Sequence, residues 1–237
     1  MPSLLALDTS SEASSVALWH QGQLLEETRL APRQHAQLIL PQIQALLAEA
    51  QLSMSDLDGL VFGRGPGSFT GLRIAAATTQ GLALALDLPV LPISTLAAQA
   101  WQAHQDCYAT RLISCLDARM DEIYWAVYQV QQGQLISLTE EQLSAPEALL
   151  VEPKMGEDWL VVGSGGLFEA RFPALTRQAI QQVKSDVLPS AAAMLPLALQ
   201  DWAAQRWCSA AEIEPTYLRN QVTHQPATQQ PVPLQQG

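Results

Sequence analysis

Leu60-Val61-Phe62-Gly63-Arg64-Gly65-Pro66-Gly67-Ser68-Phe69-Thr70-Gly71 is the stretch that decides how the rest of the chain is read. Gly59 to Gly63 has the apolar run of a buried strand, and Thr70 to Leu86 reads as a long helix rich in alanine and glycine. Between them lies a glycine-rich loop. Backbone N–H groups at such a helix N-terminus can hold an anion, and glycine lets a ligand approach closely. The loop is not a Walker A motif, because no lysine follows the glycines. It is not a dinucleotide fingerprint either, since Thr70 stands where the third glycine is required. Two readings stay open: an anion site, or a tight turn that packs the helix against its own strand.

Toward the N-terminus, Ser3 to Leu7 is an apolar strand ending at Asp8-Thr9-Ser10. Ser15 to Trp19 and Gln23 to Leu30, joined by His20-Gln21-Gly22, read as a hairpin. A carboxylate and two hydroxyls beyond a strand's carboxyl end suit a metal–phosphate ligand. On residue chemistry alone they better suit a loop whose side chains satisfy its own backbone. Gln34 to Ala50 carries Ile39, Ile43, Leu46, Leu47 and Ala50 at helical spacing. Pro41 means either a kink or a start near Leu38–Ile39. Ser53 to Asp56 is a short turn with Ser55 or Asp56 as cap.

Toward the C-terminus, Leu88 to Ile93 is a strand, and Ser94 or Thr95 caps a helix to about His104. The opening theme then returns: an apolar strand (Leu112 to Leu116), an Asp-containing turn (Asp117-Ala118-Arg119), and a hairpin (Glu122 to Val130 with Gln134 to Leu138). This is a weak internal duplication at a spacing of roughly 110 residues. Ser144 to Glu147 starts a short helix, Trp159 to Val162 is a strand leading into Gly163-Ser164-Gly165-Gly166, and Ser190 to Arg206 is a helix with one strongly apolar side. That second glycine cluster can pass an adenine or phosphate, or simply turn the chain. Asp117 to Glu122 reads as a structural Asp–Arg pair that orders its loop. Residues 223–237, rich in Gln, Pro and Thr, read as a disordered tail.

Composition narrows the function. The 237 residues are 48% hydrophobic and 15% charged, which supplies a sizeable core. Twelve Lys and Arg against 23 Asp and Glu leave a net charge of −11, so gripping a nucleic acid without a basic partner is not expected. Cys107, Cys115 and Cys208 show no CxxC spacing, which reads as a reduced, cytoplasmic protein without structural zinc. Met1 to Leu5 lacks the cationic start of a signal peptide, and no apolar run has the length of a membrane span. His20, His35, His104 and His224 are scattered, and His35 has Leu38 and Ile39 at the positions where a second ligand would fall, so no metal site is expected. No catalytic triad can be assigned from spacing.

Several motifs together resemble the bacterial TsaB (YeaZ) family. They are Leu5-Ala6-Leu7-Asp8-Thr9-Ser10, Gly65-Pro66-Gly67-Ser68-Phe69-Thr70-Gly71-Leu72-Arg73, Asp117-Ala118-Arg119-Met120 followed by Glu122-Ile123-Tyr124, Gly163 to Gly166, and Pro215-Thr216-Tyr217-Leu218-Arg219. The resemblance spans about residues 4–219. It implies an α/β, two-lobed, actin-like or sugar-kinase-like (ASKHA) fold. The lobes would be 1–105 and 106–222, each a mixed sheet with flanking helices, with the last helix free to pack back on the first lobe. It implies a non-catalytic role in forming N6-threonylcarbamoyladenosine (t6A) at position 37 of tRNAs that read codons beginning with A. The chemistry would belong to a related subunit, TsaD, whose metal sits on a His-x-x-x-His pair. Here the corresponding positions are His35 and Ile39.

The resemblance also implies partners. TsaD would pair through the first-lobe helices, with Ile39, Ile43, Leu46, Gly71, Ala75 and Thr79 as interface residues. A homodimer would use an overlapping surface, and the ATPase TsaE would join near a nucleotide-containing interface. tRNA would be met only through the complex, and no membrane is involved. Asp8, Thr9, Ser10, Gly65, Gly67 and Ser68 are the candidate phosphate or nucleotide residues. No cofactor would be tightly bound, with ATP or ADP at the complex interface. The rival reading is an ATP-binding phosphotransferase or ATPase of the same fold, using Asp8 and the glycine loop.

Overall fold

The computed structural model describes residues 1–151 and 158–219; the expected tail at 223–237 lies outside them. Two sheets are each built the same way. In the first, β1 (Leu4–Asp8), β2 (Ala13–His20) and β3 (Gln23–Leu30) form an antiparallel meander. Then β4 (Gly59–Gly65) pairs parallel to β1, and β5 (Val90–Ser94) parallel to β4, giving the order β3-β2-β1-β4-β5. In the second, β6 (Arg111–Arg119), β7 (Glu122–Gln131) and β8 (Gln134–Ser137) repeat the meander, and β9 (Gln142–Ser144) also pairs with β7. β10 (Trp159–Val162) and β11 (Ile180–Lys184) extend the other side in parallel, giving β11-β10-β6-β7-β8. The repeated strand order makes the duplication visible in space.

Alternation along β1 sends side chains to two different cores. Leu5 and Leu7 face α1 (His35–Glu49) and α2 (Phe69–Leu86), where they meet Ile39, Ile43, Leu46 and Ala75. Leu4 and Ala6 face α5 (Ala191–Ala203), joined by Ala17, Val61, Leu91, Ala193, Met194 and Ala198. Small residues on both sides of that contact allow the helix to lie close to the sheet. On the other side of the gap, α3 (Thr95–Cys107) covers the second sheet through Leu96, Ala100 and Trp101 against Leu112, Ala126 and Tyr128. Leu197 touches both of these cores, so α3 and α5 are a double layer shared between the sheets. The second sheet's outer face is covered by the 3-10 segment Ser164–Arg171 and α4 (Ala174–Ala179).

Residues 190–212 return to the first lobe. Ala191 N–H donates to Ser15 Oγ at 2.9 Å, and a bridge joins Val90 to Cys208. Gln80 Nε2 donates to the Ala210 carbonyl at 2.9 Å. The second sequence half is therefore not one spatial lobe, because its final helix lies on the first sheet.

Local details differ from the expectations for identifiable reasons. Helix α1 is continuous from His35 to Glu49 with Pro41 inside it. Pro41 and Gln37, whose carbonyl loses its partner, both lie on the exposed side, so water can take the bond. Ser53, rather than Ser55 or Asp56, caps the segment Met54–Asp56, with the Asp56 carboxylate accepting from Ser53 N–H at 2.7 Å. Strand β4 continues to Gly65 because Ser94 pairs with it after a register shift. α4 and β11 are additions that no periodicity announced. Among the described residues, no helix is long and apolar enough to cross a membrane.

Candidate functional site

The ends of β1 and β4 place two loops side by side. Asp8 Oδ1 accepts from Ser10 N–H at 3.0 Å and from Ser10 Oγ at 2.8 Å. Thr9 Oγ1 donates to the Gly71 carbonyl at 2.7 Å, and Ser68 N–H donates to the Ser10 carbonyl at 2.7 Å. Glycine is required where the loops meet. A Cβ at Gly71 would overlap the Thr9 carbonyl oxygen, and one at Gly67 would stand 2.6 Å from the Ser10 carbonyl oxygen. Ser68 caps α2 by accepting from Gly71 N–H at 3.4 Å.

Asp8 is fully buried and its Oδ2 has no hydrogen-bond partner. It fills the space above Gly63, where a Cβ would overlap Oδ2 and would stand 2.9 Å from Met194 Cε. Burial pushes the carboxyl up to about 6, against the pull of the two Ser10 bonds. The expected phosphate cradle is thus largely filled by protein. Asp8 and Thr9 are sealed, Gly65 sits under Leu72 and the Thr216 carbonyl, and only Ser10, Gly67 and Ser68 reach an open surface. The physical reason is that hydroxyls and amides a phosphate would need are bonded to one another.

That open surface is a cavity of about 730 Å³ between the lobes. From the first lobe come Ser10, Ser68, Arg33 and His35; from the second, Asp117, Arg119, Tyr124 and Ser164. The second lobe's turn has its own order. Asp117 N–H donates to Ser164 Oγ at 2.9 Å, and Asp117 Oδ1 accepts from Arg119 N–H at 2.7 Å. Arg119 pairs with Asp117 at 3.2 Å and reaches Glu12 of the first lobe at 3.9 Å. Gly163 and Gly165 let the chain pass against Cys115, and Gln99 fits over Gly163. Gln99 accepts from Ser114 Oγ at 2.8 Å and donates to the Val187 carbonyl at 2.8 Å. The second glycine cluster is occupied by the chain's own packing.

A second cavity of about 810 Å³ opens on the far edge, beside Arg64 and Tyr128. Arg64 forks onto Glu141 of the second lobe at 2.9 and 3.0 Å. Burial pushes the Tyr128 phenol up. Arg64 and Glu141 were not anticipated. An arginine placed directly before a glycine loop is the one signal that could have drawn notice to the first.

A metal-binding His-x-x-x-His pair, which the resemblance brought into question, does not fit these residues. His35 is buried, its Nδ1 has no partner, and burial lowers its pKa while a contact with the Ser11 backbone opposes the shift. Ile39, one turn later, offers only hydrocarbon and lies in the core. Among the described residues, no three His, Cys, Asp or Glu side chains converge on a metal position.

The expected interface residues need correcting. Ile39, Ile43, Leu46, Gly71, Ala75 and Thr79 are all buried inside the first lobe, turned toward its own sheet. Helical periodicity marks the face a helix gives to its own core, and these six define that face. What α1 and α2 present outward is different and includes Ala36, Leu40, Gln44, Ala45, Ala48 and Glu49 on α1, and Thr70, Arg73, Ala77, Gly81 and Leu84 on α2.

Two duplicated mixed sheets around a cleft, with an Asp turn and a hairpin in each half, define a two-lobed α/β protein of the actin-like, ASKHA type. A family model described as "TsaD: tRNA N6-adenosine threonylcarbamoyltransferase" matches residues 28–225. "tRNA threonylcarbamoyladenosine biosynthesis protein TsaB" of Escherichia coli K12 is 40% identical over 225 residues, covering 92% of this chain and 95% of that one. The protein of the same description from Haemophilus influenzae is 41% identical over 231 residues, covering 93% and 94%. The solved structure of YeaZ from Pseudomonas aeruginosa is 44% identical with a TM-score of 0.87, over 92% of this chain and 100% of that one. The chain belongs to the TsaB (YeaZ) family.

Proposed function

We propose that this chain is a non-catalytic subunit in t6A formation at position 37 of tRNAs reading codons that begin with A, and that it binds and activates a TsaD-type transferase. The observation that carries this reading is the outer surface of α1 and α2. In a chain of net charge −11, the charges on that surface are Arg73 and Glu49, which offset each other, and Leu40 and Leu84 stand 46% and 67% exposed on it. Burying such a surface against a partner helix pair yields roughly 25 cal/mol per Å² of apolar area before the costs of association. The names of the relatives, threonylcarbamoyladenosine biosynthesis proteins, support the pathway.

The rest of the reading follows from charge and closure. An acidic subunit leaves the grip on tRNA to a more basic partner. The sealed Asp8 and Thr9 favour ATP or ADP being held jointly at a complex interface, where TsaE would join, rather than by this chain alone. A homodimer of the free chain would use an overlapping part of the α1–α2 face. The setting is the cytoplasm, where this tRNA chemistry would occur.

The test is a reconstituted modification assay with and without this chain, together with co-purification with TsaD. The double variant Leu40→Glu/Leu84→Glu should lose TsaD binding and modification together, while keeping the fold. Undiminished binding would move the contact elsewhere, and a dispensable chain would end the reading. Magnesium-dependent ATP hydrolysis by the isolated chain, abolished by Asp8→Ala, would replace it with the phosphotransferase or ATPase reading.

A further inference from the structure

One wall of the interlobe cleft is made by a segment outside both duplicated sheets. After the 3-10 turn Ala210–Glu212, the chain runs across the cleft mouth through Thr216, Tyr217 and Arg219. Its first fixed point is Arg64. Thr216 N–H donates to the Arg64 carbonyl at 2.7 Å, and Arg64 Nη1 donates to Thr216 Oγ1 at 2.6 Å. The same guanidinium holds Glu141 of the second lobe. The Thr216 carbonyl lies over Gly65, whose φ of +104° a side chain would strain.

The next two contacts pull in opposite directions. Tyr217 lies on the first lobe, its ring 5.3 Å from that of Phe69, its hydroxyl accepting from Arg73 Nε at 3.3 Å. Arg73 in turn stacks 3.9 Å above the Phe69 ring. Arg219 lies on the second lobe. Its guanidinium donates to the Arg119 carbonyl at 3.3 Å, to Met120 Sδ at 2.8 Å, and to the Glu122 carboxylate. What Arg219 holds is a strained turn. Met120 and Asp121 occupy the two left-handed positions of a two-residue hairpin turn, at φ +57° and +60°, and Arg119 precedes them at +63°. Asn and Gly are the residues that normally fill those positions, so this turn depends on outside contacts to keep its shape.

We propose that residues 215–219 form an interlobe clasp: Tyr217 anchors it on α2, Arg219 anchors it on the β6–β7 turn, and release at either end opens the cleft. The clasp is a property of the free chain and does not rest on the partner assignment above. Because it crosses Gly65 and grips Phe69, its release also frees the first turn of α2.

The experiment is amide hydrogen exchange on the full chain, comparing wild type with Tyr217→Ala and Arg219→Ala, with small-angle scattering alongside. A clasp couples its ends. Arg219→Ala should raise exchange about tenfold or more at residues 66–73, and Tyr217→Ala should do so at residues 117–123, with a larger radius of gyration in both. Protection of β1, β4 and β10 should stay at the wild-type level. Faster exchange confined to the substituted residue's own contacts, or none, overturns the proposal. If Arg219→Ala does not keep native protection in β1 and β4, Arg219→Lys takes its place. The lysine keeps the charge and loses the fork, and the same distant increase at residues 66–73 is required of it.

Discussion

The two strand-end aspartates occupy equivalent places in the duplicated halves and live in opposite surroundings. Asp8, at the end of β1, is buried with one carboxylate oxygen unpartnered between Gly63 and Met194. Asp117, toward the end of β6, is half-buried on the cleft wall, bonded to the Arg119 amide and guanidinium. The difference comes from what lies above each strand end. Above β1, α5 returns from the second half and brings Met194, while the glycine loop closes over Thr9 and Ser10. Above β6 no helix brings an apolar side chain over Asp117; Ser164 takes its amide, Arg219 holds the turn beyond it, and the carboxylate stays at the cleft. A duplicated motif has become one sealed joint and one open turn.

The sealed joint should break at its glycines first. Gly71→Ala drives a Cβ into the Thr9 carbonyl oxygen, where neither backbone can yield, and a loss of about 3 kcal/mol or more is expected by chemical denaturation. A loss under about 1 kcal/mol would show the two loops to be loosely joined. Asp8→Asn comes next in size. Asp8 has a carboxyl near 6 in the fold against 3.8 in the unfolded chain, so between those values the folded state holds a proton the unfolded state releases. Stability therefore falls as pH rises from 4 through 6, and at pH 8 the buried charge costs about 3 kcal/mol. The asparagine variant should be more stable than wild type at pH 8 and should flatten the profile between pH 4 and 7; urea titrations across that range decide it.

Two smaller changes sharpen the contrast. Gly81→Ala, on the exposed side of α2 where a Cβ meets nothing within 4 Å, should stabilise the free chain by up to about 1 kcal/mol through helix propensity. It serves as the counterpart of Gly71 in the same helix. Asp117→Asn should change stability at pH 8 by no more than about 0.5 kcal/mol, since the Arg119 guanidinium it pairs with is largely in water and the asparagine oxygen can still accept from the Arg119 amide. A cost several times larger would mean the open turn is as tightly built as the sealed joint.

Much of the scaffold was legible from residue patterns. The apolar runs at Leu4–Leu7, Leu60–Phe62, Leu112–Leu116 and Trp159–Val162 mark the central strands, and the repeat of strand, Asp turn and hairpin announces the two halves. β11 was not legible, because Ile180-Gln181-Gln182-Val183-Lys184 is an edge strand with an exposed middle and no apolar run. The sites were harder. Whether Asp8 faces a ligand or the core depends on Met194, far along the chain, and no local pattern encodes that meeting. The six residues that the resemblance pointed to for a partner contact lie at the helical spacing that reports burial inside the same lobe. The outward set is marked only by how little charge it carries, Arg73 and Glu49. Tyr217 and Arg219 carried a family resemblance but gave no hint of spanning the cleft.

The near-neutral outer face of α1 and α2 has a consequence for how this acidic molecule associates. Contacts made through it, as proposed above, would owe little to Coulomb attraction, so their strength should barely change with ionic strength. The surrounding acidic surface, by contrast, keeps like molecules apart most effectively in dilute buffer. Added salt should therefore ease approach without loosening the grip, a dependence opposite to that of a protein that clings to its partner by ion pairs.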